Sequence, residues 1–312
     1  MKELFFSIVI ATKNREALLD ETLAALAAQE WPRDRFEILV ADNGSTDHTR
    51  AVVESAAGRP GAPRVHYRYV ATPGKSHAVN ALIEDVRGDV VALTDDDVLP
   101  SVDWLRQLAG AFADTGADFV AGRILPRWEA EPPSWLSSAL YGVLAVPDNG
   151  EERLTLGPNG DGRDIIPVGA NMAVRTDVLH RIGGLRHDLG KLSGTLRTGE
   201  DHEFFLRMLH AGYRGVYEPT AVVRHFVPRE RLKRSYFRRW LYQNGQDVSR
   251  LEATHAHGVR RLLGVPRYLW RQAAGDAMLI VKAGVKGDRR RRFAAATRLI
   301  WFGGYIRDSW CA

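Results

Sequence analysis

Residues 90–100 read VVALTDDDVLP, and the rest of the chain is organised around this stretch. Its first residues are apolar, as in a strand covered on both faces. They run straight into Asp95, Asp96 and Asp97, three adjacent carboxylates that repel one another and disfavour a packed strand. Acidic triplets are commonly exposed turn residues. At the tip of a buried strand they also suit a hard cation with oxygen ligands, Mg²⁺ or Mn²⁺, which neutralises the repulsion and bridges to a diphosphate.

Working outward, FSIVIATKN (6–14) reads as a strand, and Leu18, Leu19, Leu23 and Leu26 follow at helical spacing. FEILVADNGSTD (36–47) is a second apolar strand ending in a polar turn, where Thr46 and Asp47 can cap the next helix. RVHYRYV (64–70) alternates like a third strand, GKSHAVNALIEDV (74–86) is helical, and GDVVALTDDD (88–97) is the fourth strand. A helix capped by Ser101 and a fifth strand, DFVAGRILPRW (118–128), come next. Strands alternating with helices predict an α/β fold with a parallel sheet. Ligands of such sheets bind beyond the carboxyl ends of the strands, so Thr12, Asn14, Asp42 and Asp95 to Asp97 fall on one edge.

The middle is less regular. EAEPPSW (129–135) and PDNGEERLTLGPNGDGRD (147–164) read as loops. IIPVGANMAVRTDVLHRIGG (165–184) predicts a strand, a turn and a short helix, and GEDHEFFLRMLHAGY (199–213) an amphipathic helix with Phe204, Phe205, Met208 and Leu209 inward. VYEPTAVVRH (216–225) predicts a short strand pair, and from Pro228 the pattern turns helical and basic.

Four ordered motifs, SIVIATKNR, ILVADNGSTD, ALTDDD and GEDHEF, make residues 5 to 226 resemble the family 2 glycosyltransferases, inverting enzymes of the GT-A fold. The resemblance implies a single Rossmann-like mixed sheet flanked by helices, in a catalytic domain of residues 1–227. A helical, basic and aromatic region, 228–312, would follow it. It implies a nucleoside-diphosphate-sugar donor, UDP-linked, and a saccharide or lipid-linked acceptor in polysaccharide or glycolipid synthesis. Thr12, Asn14 and Arg15 would line the base, Asp42 would bond a ring edge, and Lys75 and Asn80 would lie near ribose and phosphates. Asp95 and Asp96 would contact base and ribose, and Asp97 would bind the metal. For Asn14 and Asp42, ordinary strand-end turn chemistry is the competing reading.

Inversion requires one side chain to deprotonate the acceptor hydroxyl. The resemblance assigns this to Asp201, with Glu200 orienting or contacting the acceptor; both would also suit a helix N-terminus without any catalytic task. Gly169 and Asn171 would lie under the donor sugar and acceptor. His225 stands either as a second metal ligand or as a structural residue at a strand end. His77 and His202 have no comparable placement and read as surface or supporting residues. Sugar selectivity falls to loops such as 128–163.

The chain has 312 residues and a net charge of +5, but the charge is uneven. Residues 228–312 hold 19 Lys and Arg against 6 Asp and Glu, so an acidic body carries a basic, aromatic tail. Three uses stay open for it: peripheral contact with a membrane, packing on the catalytic domain, or a homodimer surface. Nothing in it matches a nucleic-acid module. Cys311 is the single cysteine, which excludes an intrachain disulfide framework and fits a reducing compartment. No signal peptide and no apolar run of about 18 residues is found. The expected location is therefore cytoplasmic, with peripheral contact at the inner face of the cell membrane. Two rivals remain: a sugar-phosphate nucleotidyltransferase, which usually carries a Gly-rich phosphate loop absent from ATKNREALL, and an inactive nucleotide-sugar-binding module.

Overall fold

The computed structural model describes residues 4–157, 159–162, 165–190, 196, 199–255 and 259–311. Met1–Glu3 of the N-terminal run, Pro158, Arg163 and Asp164 of the loop at 147–164, and residues 256–258 and Ala312 of the tail lie outside the described residues. Contacts sort the chain into two compact units. The first holds the described residues of 1–127, 148–193 and 200–226, and the second those of 128–147, 194–199 and 227–312.

The first unit opens with β1 (Phe6–Thr12), α1 (Glu16–Ala27), β2 (Phe36–Asp42), α2 (Thr49–Ala57), β3 (Arg64–Tyr69), α3 (Lys75–Ile83) and β4 (Val90–Asp95). It continues with β5 (Val98–Pro100), α4 (Trp104–Thr115), β6 (Phe119–Trp128), β7 (Leu154–Leu156), β8 (Met172–Arg175), α5 (Thr176–Ile182), α6 (Glu200–His210) and β9 (Gly215–Val227). Among the described residues these strands form one sheet in the order β3-β2-β1-β4-β8-β6-β9-β5, with β7 also paired to β9. The four strands from β3 to β4 are parallel. Beyond β4 the pairings of β8 with β4 and β6, and of β9 with β5 and β7, are antiparallel. The parallel reading therefore covers one half of a mixed sheet.

Burial explains the apolar runs. Ile8, Ile10, Leu39, Val40 and Ala92 are fully buried between helical layers. Each large aliphatic side chain hidden this way contributes about 1.5–3 kcal/mol relative to exposure. The register sets Thr12 opposite Asp42 and Ala11 opposite Asp95, so the polar residues that end these strands share one edge. The other end of the sheet is pinned by Glu37, which is fully buried. Its carboxylate accepts from Ser7 Oγ at 2.7 Å, the Arg87 backbone N–H at 3.1 Å and Arg64 Nη1 at 3.0 Å.

Two expectations are corrected. Residues 216–225 form no strand pair but part of β9, a continuous strand of 13 residues. Pro219, which lacks an N–H, falls between the stretch paired with β7 (Gly215–Tyr217) and the stretch paired with β5 (Val223–His225). Ser101 does not cap α4 through its side chain; the helix starts after Asp103, and the Ser101 carbonyl accepts from the Trp104 N–H at 3.0 Å. At α2, Asp47 Oδ1 does accept from the Thr49 N–H at 3.1 Å, whereas the Thr46 N–H donates to Asn14 Oδ1 at 2.7 Å.

The second unit contains α7 (Arg234–His255), a two-stranded hairpin of β10 (Arg261–Leu262) and β11 (Val265–Pro266), α8 (Arg267–Val285) and α9 (Arg289–Cys311). Val265, Leu269, Phe302 and Tyr305 form its apolar centre, with Trp270 and Trp301 packed against them. Trp301 Nε1 donates to Asn244 Oδ1 at 2.9 Å, and Tyr305 Oη to Glu252 Oε2 at 2.6 Å, which satisfies polar atoms of the buried rings. Among the described residues no helix is long and apolar enough to cross a membrane.

Candidate active site

The three aspartates of the strand tip have three environments. Asp96 points into the sheet edge, where its carboxylate accepts from Thr12 Oγ1 at 2.8 Å and from Arg15 Nη1 at 2.8 Å. Burial pushes its carboxyl up to about 6, against the opposing pull of Arg15 and the Thr12 hydrogen bond. The same Arg15 Nη1 donates to Asp97 Oδ2 at 2.8 Å, so one guanidinium holds two carboxylates together. Desolvation works against the Arg15 charge, but Asp96 and Asp97 outweigh it and raise its affinity for the proton.

Asp97 Oδ1 is buried and has no hydrogen-bond partner among the described residues. It lies 3.3 Å from His225 Nε2. This meeting comes from the antiparallel pairing of β5 and β9, which sets Val98 opposite His225, while the Phe226 N–H donates to the Asp97 carbonyl at 2.9 Å. Asp95 completes the group: one ligand atom each from Asp95, Asp97 and His225 lie within 4.8 Å of one another. A buried acceptor lacking a donor, beside a second carboxylate and an imidazole, fits a divalent cation such as Mn²⁺ or Mg²⁺. The sequence reading paired Asp97 with His225 but gave Asp95 only to base and ribose; Asp95 ends β4, and the turn that follows brings Asp97 back beside it.

Lys75, at the first position of α3, connects this cluster to the predicted base. Its Nζ is 2.8 Å from Asp95 Oδ1. Burial alone would lower the ammonium's affinity for its proton, but Asp95, Asp201 and Glu200 together raise it well above the usual range. Asp201 lies in the first turn of α6. Its Oδ2 accepts from the Gly169 N–H at 2.9 Å, and its Oδ1 is buried with no hydrogen-bond partner among the described residues. Thr94 Oγ1 donates to the Ala170 carbonyl at 2.9 Å, which ties the 169–171 turn to β4. Glu200 is buried beside Gly190, where a Cβ would come within 2.9 Å of its carboxylate.

Other predicted residues use their side chains within the protein. Asn171 is buried; its Nδ2 donates to the Arg123 and Ala221 carbonyls, both at 2.9 Å, and its Oδ1 accepts from Trp104 Nε1 at 2.9 Å. Asn80 grips the loop after α5, donating to the Leu185 carbonyl at 2.7 Å and accepting from the Leu185 N–H at 2.8 Å. Its Nδ2 is also 2.7 Å from His187 Nε2, and His187 stacks on His77 with ring centroids 3.9 Å apart. Asp42 accepts from the Ser45 N–H and Tyr67 Oη, each at 2.8 Å. Asn14 is left-handed, at φ 52°, and links the loop after β1 to Ser45 and Thr46.

Sequence reasoning passed over Asn43. Its Nδ2 donates to the carbonyls of Val70 and Thr72, at 3.1 and 2.7 Å, and its Oδ1 accepts from the Gly74 N–H at 2.7 Å. It thereby shapes the loop that delivers Lys75. Its place in the strand-ending run ADNGSTD was the available signal.

The sequence and the fold that build this group are matched among known proteins. The profile described as "Glycosyl transferase family 2" matches residues 7–183, and the chain belongs to that family. It is 32% identical over 262 residues to the succinoglycan biosynthesis protein ExoM of Rhizobium meliloti, an alignment spanning 83% of this chain and 78% of that protein. Among solved structures it resembles the mannosyltransferase PcManGT from Pyrobaculum calidifontis, in complex with GDP-Man and Mn²⁺. The TM-score is 0.69 at 22% identity, covering 100% of this chain and 88% of the other. It also resembles S. aureus TarS 1-349 in complex with UDP-GlcNAc, with a TM-score of 0.55 at 16% identity, over 96% and 91% of the two chains. The fold is accordingly of the GT-A type, and the protein is a glycosyltransferase.

Proposed function

We propose that the chain transfers a sugar, with inversion, from a UDP-linked donor to a hydroxyl of a saccharide or lipid-linked acceptor. The observation that carries this reading is Lys75, whose Nζ lies 2.8 Å from Asp95 Oδ1 and whose charge is also favoured by Asp201 and Glu200. Inverting transfer needs such an arrangement, with leaving-group chemistry at one pole and a base at the other.

Asp95, Asp97 and His225 would hold the divalent ion, Mn²⁺ or Mg²⁺. When bound, the ion supplies charge neutralisation for a diphosphate leaving group. Lys75 adds a positive charge on the same side. Thr12, Asn14, Arg15 and Asp42 would line the nucleoside at the strand ends, and Asp42 keeps lone pairs for a ring N–H. Asp201 takes the proton from the acceptor hydroxyl at Oδ1, the oxygen without a donor among the described residues, while the Gly169 N–H steadies Oδ2. Glu200 orients the acceptor. The similarity to a succinoglycan biosynthesis protein favours a growing saccharide as acceptor.

Calorimetric titration of UDP and GDP with and without Mn²⁺, on the wild type and on Asp97→Ala, tests the donor half. UDP binding that strengthens with Mn²⁺ only in the wild type is expected, and equal affinity in all four cases overturns it. Proton NMR of the product tests inversion: retention of the donor's anomeric configuration would remove Asp201 as base.

A further inference from the structure

The second unit carries a feature that sugar transfer does not use. On the outer side of α8, Met278 is 59% exposed, Val281 66% and Val285 87%. At helical spacing these residues and the exposed Ala274 form a single stripe. The opposite side of the helix is the one that packs, through the buried Leu269 and Ala283. A Cβ added at Gly275 or Gly284 would meet nothing within 4 Å, so the outer surface of the helix is uncovered.

The charges around the stripe are predominantly positive. Arg267 and Arg271 extend it toward the N-terminus, and Lys282 and Lys286 flank its apolar end. All four are exposed, and so are Arg289 to Arg292 that follow; Asp288 between the two groups is paired to Arg291, and Arg290 donates to the Ser134 carbonyl. The one carboxylate of α8, Asp276, is only 12% exposed and is taken up by Arg298. Beside the stripe an apolar cleft of about 720 Å³ opens, with Met278 and Lys282 on its lining together with Leu279, Trp301 and Phe302.

We propose that α8 docks on an anionic phospholipid bilayer. The helix lies along the surface, with Met278, Val281 and Val285 entering the acyl boundary and Lys282, Lys286 and the Arg289–Arg292 run meeting lipid phosphates. Charge complementarity selects this occupant. A face of exposed aliphatic side chains inside a basic rim matches a surface that presents hydrocarbon beneath negative headgroups. A second copy of the same face would bring like charges together. The inference goes beyond the transferase reading and does not rest on it, since it concerns a different unit and needs neither nucleotide nor sugar.

Flotation of the full chain with phosphatidylcholine vesicles, with and without about a third phosphatidylglycerol, tests it. The wild type should float with the anionic vesicles at low salt and stay behind with the neutral ones. Val281→Glu with Val285→Glu, and separately Lys282→Glu with Lys286→Glu, should each weaken binding by about tenfold or more. These side chains are exposed, and unchanged circular dichroism checks the fold. As a second readout, Val285→Cys on a Cys311→Ser background carries an environment-sensitive dye, which should shift to the blue on anionic vesicles. Equal binding to both vesicle types, absence of binding, full binding by either double variant, or an unshifted dye would overturn the proposal. So would conversion of a dimer to a monomer by Val281→Glu with Val285→Glu, which would make the stripe a subunit interface.

Discussion

The Gly169 N–H donates to Asp201 Oδ2 at 2.9 Å, and a Cβ on Gly169 would lie 2.6 Å from Asp201 Oδ1. The glycine is therefore both the support of that carboxylate and the space it occupies. Gly169→Ala should displace Asp201 without touching the strand tip. Turnover should fall by about 10²-fold or more, within the range of a lost general base, while UDP affinity changes less than about twofold. Steady-state kinetics beside calorimetry check it.

Arg15 bonds Asp96 and Asp97 from a single nitrogen. In Arg15→Gln the two buried carboxylates lose their shared counter-charge, at a cost of about 1–3 kcal/mol. The variant should melt lower than the wild type in EDTA. Mn²⁺ should recover more of the melting temperature in the variant than in the wild type, because the added cation replaces the missing one.

Asn171 makes three hydrogen bonds to parts of the chain far away in sequence. Asn171→Ala removes the acceptor of the Trp104 indole N–H and one donor from each of two carbonyls. A loss of about 2–4 kcal/mol is expected, from more than one buried group losing a partner. Thermal melts read it, and Asn171→Asp should recover little because its carboxylate faces two carbonyls.

The phenols of Tyr67 and Tyr217 are both pushed up to about 12, first by burial and then by nearby carboxylates. A folded-state value above the unfolded one means that the neutral phenol favours the fold. This contribution is complete below about pH 10, the ordinary tyrosine value, and is lost as pH rises through about 12. Absorbance of tyrosinate should show a class of rings titrating near 12, and Tyr67→Phe should remove one of them.

The parallel half of the sheet was legible because each of its strands is a continuous apolar run followed by a turn and a helix. In the antiparallel half strands were read at 118–128, within 165–184 and at 216–225, but not how they pair. β5 has only 3 residues and was not read as a strand, and Pro219 made β9 read as a strand pair, so the pairing that brings His225 to Asp97 was not visible. Asp201 was visible as an acid at a helix start, but its glycine support lies 32 positions earlier. The commitment of Asn171 and Asn80 to the scaffold was invisible for the same reason. Their partners at 104, 123, 221 and 185 come close only once the chain is folded.

Glu37 gives the sheet a property the strand tips cannot supply for themselves. It fastens β1, β2 and the entry to β4 at the end remote from the carboxylate cluster. Like tines cast in one handle, these strands cannot slide past each other, so the spacing of Thr12, Asp42 and Asp95 is set before any substrate arrives. Adjustment on binding then falls to the connecting loops, and the enzyme meets its donor with half of its jaws already fixed.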